Sequence, residues 1–224
     1  MIERLLPAAV RSAEVFDDSA PAPLLGAEHQ LVAGRHPERV RQFASARACA
    51  RRAQAGLGLP PAPLLRGPGG APAWSPGVVG SITHCGGYRG AAVARSTALA
   101  ALGIDAEPAL PLPTGVLGLV GTDEEGPMIA DLTATRPDVP WDRLLFSAKE
   151  AVYKAWYPRS GQWLGFSRAT VRLDPDGGFT ARLRPERPAP GVPLRYTGRW
   201  LTGRGLLLTA VAVPAVSAVP PARS

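Results

Sequence analysis

The hexapeptide GIDAEP, residues 103–108, places two carboxylates one residue apart at the end of an apolar run. If this segment is a β-strand, Asp105 and Glu107 project from the same face, because side chains at i and i+2 share a side. Two converging carboxylates repel each other unless a cation lies near them, and Mg²⁺ binds one or two carboxylates together with waters and substrate phosphates. The pair therefore suggests a metal site, although for these residues alone an exposed turn is the simpler explanation.

A second group of charged residues lies in FSAKEAVYKAW, residues 146–156. We expect Lys149, Glu150 and Lys154 on the polar side of a helix, where an ammonium beside a carboxylate suits phosphoryl chemistry. Two structural explanations remain open. Glu150 and Lys154 have the i,i+4 spacing of a surface ion pair, and Ser147 with Glu150 has the spacing of a capping box.

Three residues further upstream are candidates for phosphate contacts. His84 lies in GSITHC, just before a Gly-Gly turn, and Arg39 and Arg47 lie in a predicted helix. A guanidinium binds phosphate through paired hydrogen bonds. A structural histidine and an ordinary solvated basic face are the alternatives.

The composition limits the class of protein. Of 224 residues, 46% are hydrophobic and 19% are charged, which is typical of a globular chain rather than a disordered one. The formal charge of +7 favours anionic partners such as phosphates, nucleic acids or acidic proteins. With two cysteines, no signal-peptide core at the N-terminus and no unbroken apolar span, we expect a cytoplasmic protein without a membrane segment.

Periodicity and turn residues predict a helix that starts at Pro37 and stops at Gly56, strands at 78–83 and 90–95, and a strand through Ile104. The clearest helix lies within residues 140–158, with an apolar stripe. The stripe consists of Leu145, Ala148, Val152, Ala155 and Trp156. The remaining predicted elements are a loop or short helix at 111–121, a helix at 122–136 and hairpins at 170–183 and 194–213.

This order of elements predicts an α+β fold. We expect two lobes of similar size that meet near residue 105, an N-terminal one at 1–104 and a C-terminal one at 105–213. A frayed tail is expected at 214–224. No element is assigned to residues 1–34.

As an ordered set, GSITHC, GIDAEP and FSAKEAVYKAW resemble the motifs of the 4′-phosphopantetheinyl transferase superfamily, in its Sfp/EntD-like branch. That branch carries Gly-Ile-Asp-x-Glu followed by Trp/Phe-Ser/Thr-x-Lys-Glu-Ala-x-x-Lys. The upstream segments ARACARRAQAGLG and GAPAWSPGVVGSITHC are also similar to its N-terminal signatures. The resemblance covers about residues 35–166.

The resemblance implies an enzyme that transfers the 4′-phosphopantetheine group of coenzyme A to a serine of an apo carrier protein. The reaction would depend on Mg²⁺ and release 3′,5′-ADP. The implied fold is a pseudo-dimer of two α+β lobes with the active site in the cleft between them.

The same resemblance assigns roles to individual residues. The metal ligands would be Asp105, Glu107 and Glu150. Glu150 and Lys154 would be catalytic, with Glu150 as the base for the serine, directly or through water. Coenzyme A would be bound by Arg39, Arg47, Arg66, Thr83, His84, Asp105 and Lys154. Ala71 departs from the family pattern, because a basic residue often stands there.

The expected partners are coenzyme A and acidic acyl or peptidyl carrier proteins, with no nucleic acid and no membrane, and the protein is expected to be a monomer. A Mg²⁺-dependent phosphohydrolase or nuclease is the alternative enzyme. A nucleic-acid-binding module would need aromatic residues within a basic stripe, whereas the tryptophans here are scattered. An inactive family member that only binds partners is a further alternative.

Overall fold

The computed structural model describes residues 1–18 and 22–215 and contains two antiparallel sheets. The three-stranded sheet has the order β1-β3-β2, and the five-stranded sheet has the order β4-β8-β7-β6-β5. The strands are β1 Arg11–Val15, β2 Val78–Cys85, β3 Tyr88–Arg95, β4 Leu99–Pro108, β5 Ala169–Leu173, β6 Gly178–Leu183, β7 Arg195–Gly203 and β8 Leu206–Pro214. The helices are α1 Pro37–Ala55, α2 Val116–Val120, α3 Glu125–Thr135 and α4 Trp141–Ser160, with short 3₁₀ helices at Ile2–Leu5, Gly26–Val32, Pro68–Gly70 and Phe166–Arg168. The α+β class is confirmed.

Helix α1 has the boundaries that its sequence predicts. Pro37 stands at the first helical position, the His36 ring accepts a hydrogen bond from the Glu38 amide, and Gly56 follows the last turn. Its buried face includes Cys49 and Ala50, which pack on the three-stranded sheet. Small side chains on this face let the helix lie close to the strands.

Helix α4 covers the five-stranded sheet. All five residues of the predicted apolar stripe are buried in one cluster with this sheet, which confirms the stripe. The helix starts at Trp141, so Ser147 is a mid-helix residue whose hydroxyl bonds to that of Thr209 at 2.9 Å. The capping-box explanation is therefore wrong, because the segment before Ser147 is already helical.

Strand β4 is buried on both faces. Ala101 faces the α4 cluster, whereas Leu102, Ile104 and Ala106 belong to a second cluster with the N-terminal segment. Gly103 faces α4, and a Cβ built on it would lie 1.9 Å from the carbonyl oxygen of Ala151. Helix and strand backbones are therefore in direct contact where the two carboxylates of GIDAEP begin.

The outer edge of β4 is bound by side chains of β2 rather than by another strand. The hydroxyl of Ser81 accepts a hydrogen bond from the Ile104 amide at 3.1 Å, and the hydroxyl of Thr83 accepts one from the Ala106 amide at 2.9 Å. These two bonds satisfy backbone donors that the sheet leaves free. They also tie the two sheets together next to Asp105.

The remaining predicted elements are confirmed, with one strand missed. Both C-terminal hairpins form, α2 and α3 lie in the predicted segments, and β4 spans the predicted strand. Strand β1 was not predicted, because its sequence RSAEV has only two apolar residues and most of its residues are only half-buried. Of the predicted tail, residues 216–224 lie outside the described residues. None of the helices in the described part of the chain has the length and apolarity needed to span a membrane.

Candidate functional site

Asp105 is a buried carboxylate whose two oxygens differ. Its Oδ1 accepts hydrogen bonds from Lys154 Nζ at 2.7 Å and from Thr83 Oγ1 at 3.2 Å. Its Oδ2 is buried without a hydrogen-bond partner among the described residues. Lys154 also donates to the Ile104 carbonyl at 3.2 Å. Strand β4, helix α4 and strand β2 thus bring three predicted site residues together.

Glu107 is held by Arg143, which the sequence analysis missed. Arg143 Nη1 donates to Glu107 Oε2 at 2.8 Å, and its other nitrogens donate to the carbonyls of Leu110 and Pro111. Burial raises the pKa of Glu107, the hydrogen bond from Arg143 opposes this, and the charge of Asp105 adds to it. A signal for Arg143 was present, because it stands seven residues before Glu150 on the same face of α4.

Glu150 is half-buried and accepts no hydrogen bond from any residue in the described ranges. Burial is the main factor that raises its pKa. The ammonium of Lys154 opposes this rise in pKa, whereas the carboxylates of Asp105 and Glu107 add to it. Lys154 makes its ion pair with Asp105. The surface ion pair between Glu150 and Lys154 is therefore not the arrangement in the structure.

Lys149 does not lie on a polar surface, and that expectation is wrong. Its side chain is 1% exposed, and Nζ donates to Glu125 Oε2 at 2.7 Å and to the carbonyls of Val120 and Phe166. Burial lowers its pKa, and the Glu125 carboxylate opposes that shift. Segments around α2, α3 and residues 166–168 cover this side of α4, so the lysine ties them to the helix.

Arg47 is buried beside the predicted phosphate site. Its Nε donates to the Leu64 carbonyl at 2.8 Å, and its guanidinium lies 4.4 Å from the ring centroid of Phe43. Burial lowers the pKa of Arg47 to about 10, with Glu28 opposing this and neighbouring arginines adding to it. The guanidinium therefore stays charged at neutral pH, with its two terminal nitrogens available to a ligand.

Glu28, in a segment left unassigned from the sequence, fixes this arrangement. It is fully buried, pairs with Arg51 at 2.9 Å and accepts hydrogen bonds from the Leu25 and Leu64 amides. Holding Leu64 in place also holds the carbonyl that orients Arg47. Nothing in its local sequence pattern distinguishes this glutamate from a surface one.

His84 and Arg39 contact each other at the surface of the site. Arg39 Nη1 donates to His84 Nε2 at 2.9 Å, which requires the ring nitrogen to be unprotonated. Desolvation by the surrounding residues lowers the pKa of His84, a backbone hydrogen bond within His84 opposes this, and the nearby cations Arg39, Lys154 and Arg89 add to the lowering. The ring is therefore neutral at physiological pH.

Most of the predicted site residues line one cavity of about 610 Å³. Seven of the nine predicted site residues line it, and they come from both long helices, from strand β2 and from the loop that holds Arg66. They are Arg39, Arg47, Arg66, Thr83, His84, Glu150 and Lys154. Asp105 contacts the cavity wall through Thr83 and Lys154, and Glu107 lies further away beside Arg143. A cavity of this size is in the range for a cofactor or a small-molecule substrate.

The predicted carboxylates do not form a compact three-ligand group. Within the ranges 1–18 and 22–215, no set of three or more His, Cys, Asp or Glu side chains is placed to hold a metal ion. The free buried Oδ2 of Asp105 and the Glu150 carboxylate without a hydrogen bond still suit a cation. Mg²⁺ needs only one or two carboxylates when substrate phosphates and waters complete its shell.

Comparison with known proteins gives a consistent result. Residues 27–94 match the family model "4′-phosphopantetheinyl transferase N-terminal domain", and residues 101–197 match "4′-phosphopantetheinyl transferase superfamily". The chain is 52% identical to the 4′-phosphopantetheinyl transferase Svp of Streptomyces mobaraensis, over 96% of this chain and 90% of that protein. It is 44% identical to PptT of Mycobacterium tuberculosis (92% and 97% covered) and 43% identical to Npt of Nocardia iowensis (95% and 99% covered), both also named 4′-phosphopantetheinyl transferases.

Proposed function

The chain belongs to the 4′-phosphopantetheinyl transferase superfamily and is a transferase, and from this premise we propose its substrates and its chemistry. The donor is coenzyme A, the acceptor is a serine of an apo acyl or peptidyl carrier protein, and the reaction depends on Mg²⁺. The observation that carries this proposal is the 610 Å³ cavity, whose lining combines Arg39, Arg47 and Arg66 with Glu150 and Lys154. The alternative enzyme, a Mg²⁺-dependent phosphohydrolase or nuclease, would account for the paired carboxylates but not for the family to which the chain belongs.

We propose that the two sheets, each with its long helix α1 or α4, form the two lobes of a pseudo-dimer, with the active site in the cleft between them. Strand β4 begins at Leu99 and pairs along its length with β8. We therefore place the division at the turn before β4, a few residues ahead of the predicted boundary near 105. The donor would lie across this division.

The arginines form the phosphate end of the proposed donor site. Arg47 is charged, buried and oriented by Leu64 and Phe43, so little side-chain freedom is lost when it binds an anion. Arg39 and Arg66 are exposed at the same cavity. We propose that these residues hold the 3′-phosphate of coenzyme A, and that the neutral His84 donates a hydrogen bond to another of its phosphates.

The metal end is built around Asp105. We propose that Asp105 and Glu150 hold Mg²⁺, which neutralises charge on the pyrophosphate when bound. Glu107 completes the predicted ligand set, with Arg143 fixing its carboxylate. The Thr83 hydroxyl donates to Asp105 Oδ1, so its contribution here is to orient that carboxylate.

In the proposed reaction the serine oxygen attacks the phosphorus that carries pantetheine. The bond from that phosphorus to the bridging pyrophosphate oxygen breaks, and 3′,5′-ADP leaves. Glu150, which lines the cavity, accepts the serine proton, directly or through water. Lys154 stabilises the charge that develops on the pyrophosphate.

We further propose that the enzyme acts as a monomer in the cytoplasm, on acidic carrier proteins. Cys49 and Cys85 are both free, which suits a reducing compartment. The formal charge of +7 attracts an acidic acceptor.

The test is to incubate the protein with coenzyme A, Mg²⁺ and a panel of apo acyl and peptidyl carrier proteins and to weigh each acceptor. We expect a mass gain of one phosphopantetheine group, which disappears when EDTA is added or when the acceptor serine is replaced by alanine. If no acceptor gains mass, or if coenzyme A is cleaved without modification of any acceptor, the proposed function is wrong.

A further inference from the structure

Both oxygens of the buried Glu28 carboxylate accept hydrogen bonds, although this residue does not line the large cavity. Oε1 accepts from the Leu64 amide at 2.8 Å, and Oε2 accepts from the Leu25 amide at 2.9 Å. Arg51 Nη1 lies 3.0 Å from the first oxygen and 2.9 Å from the second. An amide offers one acceptor and one NH₂ group, so a glutamine here would turn a donor towards a donor. The position therefore requires a carboxylate.

Leu64 connects this carboxylate to the cavity. Its side chain is buried, its amide donates to Glu28, and its carbonyl accepts the hydrogen bond from Arg47 Nε at 2.8 Å. The two ends of one residue are thus held by the buried acid and by the cavity arginine. Because the Nε–H of Arg47 is directed at this carbonyl, the position of Leu64 sets the direction in which the terminal nitrogens of Arg47 point.

The loop that carries Arg66 starts directly after Leu64. It is closed at its base, because the Ala73 amide donates to the Leu65 carbonyl at 3.0 Å and Arg66 forms a β-bridge with Pro72. The place where this loop leaves the core is therefore fixed by Leu64. The same anchor thus positions a second arginine that lines the cavity.

The charges around Glu28 favour a phosphate with close to two negative charges. Arg51 is the ion-pair partner of Glu28. Three charged side chains act on Arg47, and they are Glu28, Arg51 and Arg66. One carboxylate among three guanidinium groups leaves an excess of positive charge. A phosphate monoester, with a charge of about −1.5 to −2 at pH 7, matches that excess.

We infer that Glu28 is a positioning residue that makes the enzyme select donors with a 3′-phosphate. It acts through Leu64 on Arg47 and Arg66 and does not contact the donor. The inference rests on the proposed function, because coenzyme A is the proposed donor. It adds the residue that separates coenzyme A from 3′-dephospho-coenzyme A.

The experiment compares Glu28→Gln with wild type, using both donors and an acceptor that is modified in the transfer assay. We expect the ratio of kcat/KM for coenzyme A to that for 3′-dephospho-coenzyme A to fall about tenfold, the size of one misplaced charge-assisted hydrogen bond. The KM for coenzyme A rises, whereas kcat and the KM for the dephospho donor stay unchanged. Glu28→Asp keeps the charge but shortens the side chain, so it gives a smaller fall and serves if the glutamine variant does not fold.

Glu125→Gln is the matched control. Glu125 is also a buried carboxylate that pairs with a cation and accepts from two backbone amides, those of Thr122 and Val171. We expect this variant to keep the wild-type ratio between the two donors. A fall of the same size in Glu125→Gln would show that any buried charge has this effect, and it would overturn the inference.

A second arm tests the route through the arginines. In a protein with Arg47→Met and Arg66→Met, adding Glu28→Gln should change the donor ratio no further. An additional fall in that background overturns the proposed route. A folded Glu28→Gln or Glu28→Asp protein with the wild-type ratio also overturns the inference, as does an equal rise in KM for both donors, because that indicates general damage.

Binding measurements separate the failure of this inference from that of the proposed function. Calorimetry with 3′,5′-ADP and with 5′-AMP needs no acceptor, and we expect Glu28→Gln to weaken binding of 3′,5′-ADP alone. If wild type modifies no acceptor and binds 3′,5′-ADP no better than 5′-AMP, the proposed function and this inference both fall. If wild type transfers phosphopantetheine and Glu28→Gln keeps its preference for 3′,5′-ADP, only the positioning role is overturned.

Discussion

At the scale of single residues, the two oxygens of Asp105 have separate tasks. Oδ1 is fixed by Lys154 and Thr83, and this orients the carboxylate from two different elements. Oδ2 is left buried without a partner in the described chain, which costs free energy unless a ligand completes it. A carboxylate held in this way is suited to a cation that arrives with the substrate.

The charged residues of the α4 motif separate into different roles that the sequence could not distinguish. Glu150 and Lys154 line the cavity, whereas Lys149 is buried on another side of the helix. The order GIDAEP then SAKEAVYK predicted that the two motifs form one site, and the structure shows Asp105 in contact with Lys154. It did not predict Arg143 on Glu107 or Glu125 on Lys149, because those contacts depend on how segments distant in the chain pack on α4.

The buried pair of Lys149 and Glu125 gives a prediction about stability. Lys149→Met leaves the Glu125 carboxylate buried with only its two backbone donors, the amides of Thr122 and Val171. Removing one partner of a buried pair costs about 3–5 kcal/mol. We expect the free energy of unfolding, measured in urea, to fall by about that amount.

Glu186→Gln is the matched control, because it removes an exposed ion pair with Arg168. Such pairs contribute less than about 1 kcal/mol. The double variant Lys149→Met/Glu125→Gln removes both buried charges and should recover part of the lost free energy of unfolding. A Lys149→Met protein as stable as the control would show that the pair does not hold these segments together.

At the scale of elements, the contact between β4 and α4 sets the geometry of the site. Gly103 leaves no space for a side chain under Ala151 and Ala155, two residues before Asp105 in the strand. Helix α4 and strand β4 are therefore held at a fixed distance from each other. At this distance the side chain of Lys154 on α4 contacts Asp105 on β4.

Gly103→Ala tests this contact. The new methyl group forces the helix away from the strand, which we expect to destabilise the fold by about 1–3 kcal/mol and to lower kcat for transfer at least tenfold relative to wild type. Urea unfolding and acceptor mass give the two readouts. Gly118→Ala is the control, since a Cβ there meets nothing within 4 Å. Equal activity of the two variants would contradict the role of the contact.

The elements that the sequence predicted well are those with strong local patterns. Helices α1 and α4 have terminal signals or a long apolar stripe, and the C-terminal hairpins have turn residues between apolar runs. Strand β1 has neither, and it is defined by its pairing with β3, about 80 residues away in the chain. The segment that holds Glu28 was missed for the same reason.

At the scale of the whole molecule, charge and architecture act together. Both sheets contribute to the large cavity, and the exposed Arg39 and Arg66 lie at it on a chain of formal charge +7. Composition predicted an anionic partner but not which one. In the proposed function these partners are a phosphate-bearing donor and an acidic acceptor.

Salt should therefore weaken the reaction mainly through the acceptor. Between about 0.1 M and about 1 M salt the Debye length falls from about 10 Å to about 3 Å. We expect the acceptor KM to rise severalfold over this range while kcat changes little, because steering acts on the encounter. Initial rates at saturating coenzyme A measure both constants. An acceptor KM that does not depend on salt would rule out electrostatic steering.

The most direct test of the account is the mass of the acceptor after reaction with Asp105→Asn, since Asp105 joins β2, β4, α4 and the proposed Mg²⁺ site. Asparagine keeps the shape of the aspartate side chain and can still accept a hydrogen bond from Lys154, but it removes the negative charge that binds the cation. The variant is first shown to be folded by an unfolding curve that matches that of wild type. We then expect it to lose nearly all Mg²⁺-dependent transfer. We also expect it to lose Mn²⁺ binding, measured by calorimetry in the presence of coenzyme A. A folded Asp105→Asn protein that modifies the acceptor at the wild-type rate would contradict the account.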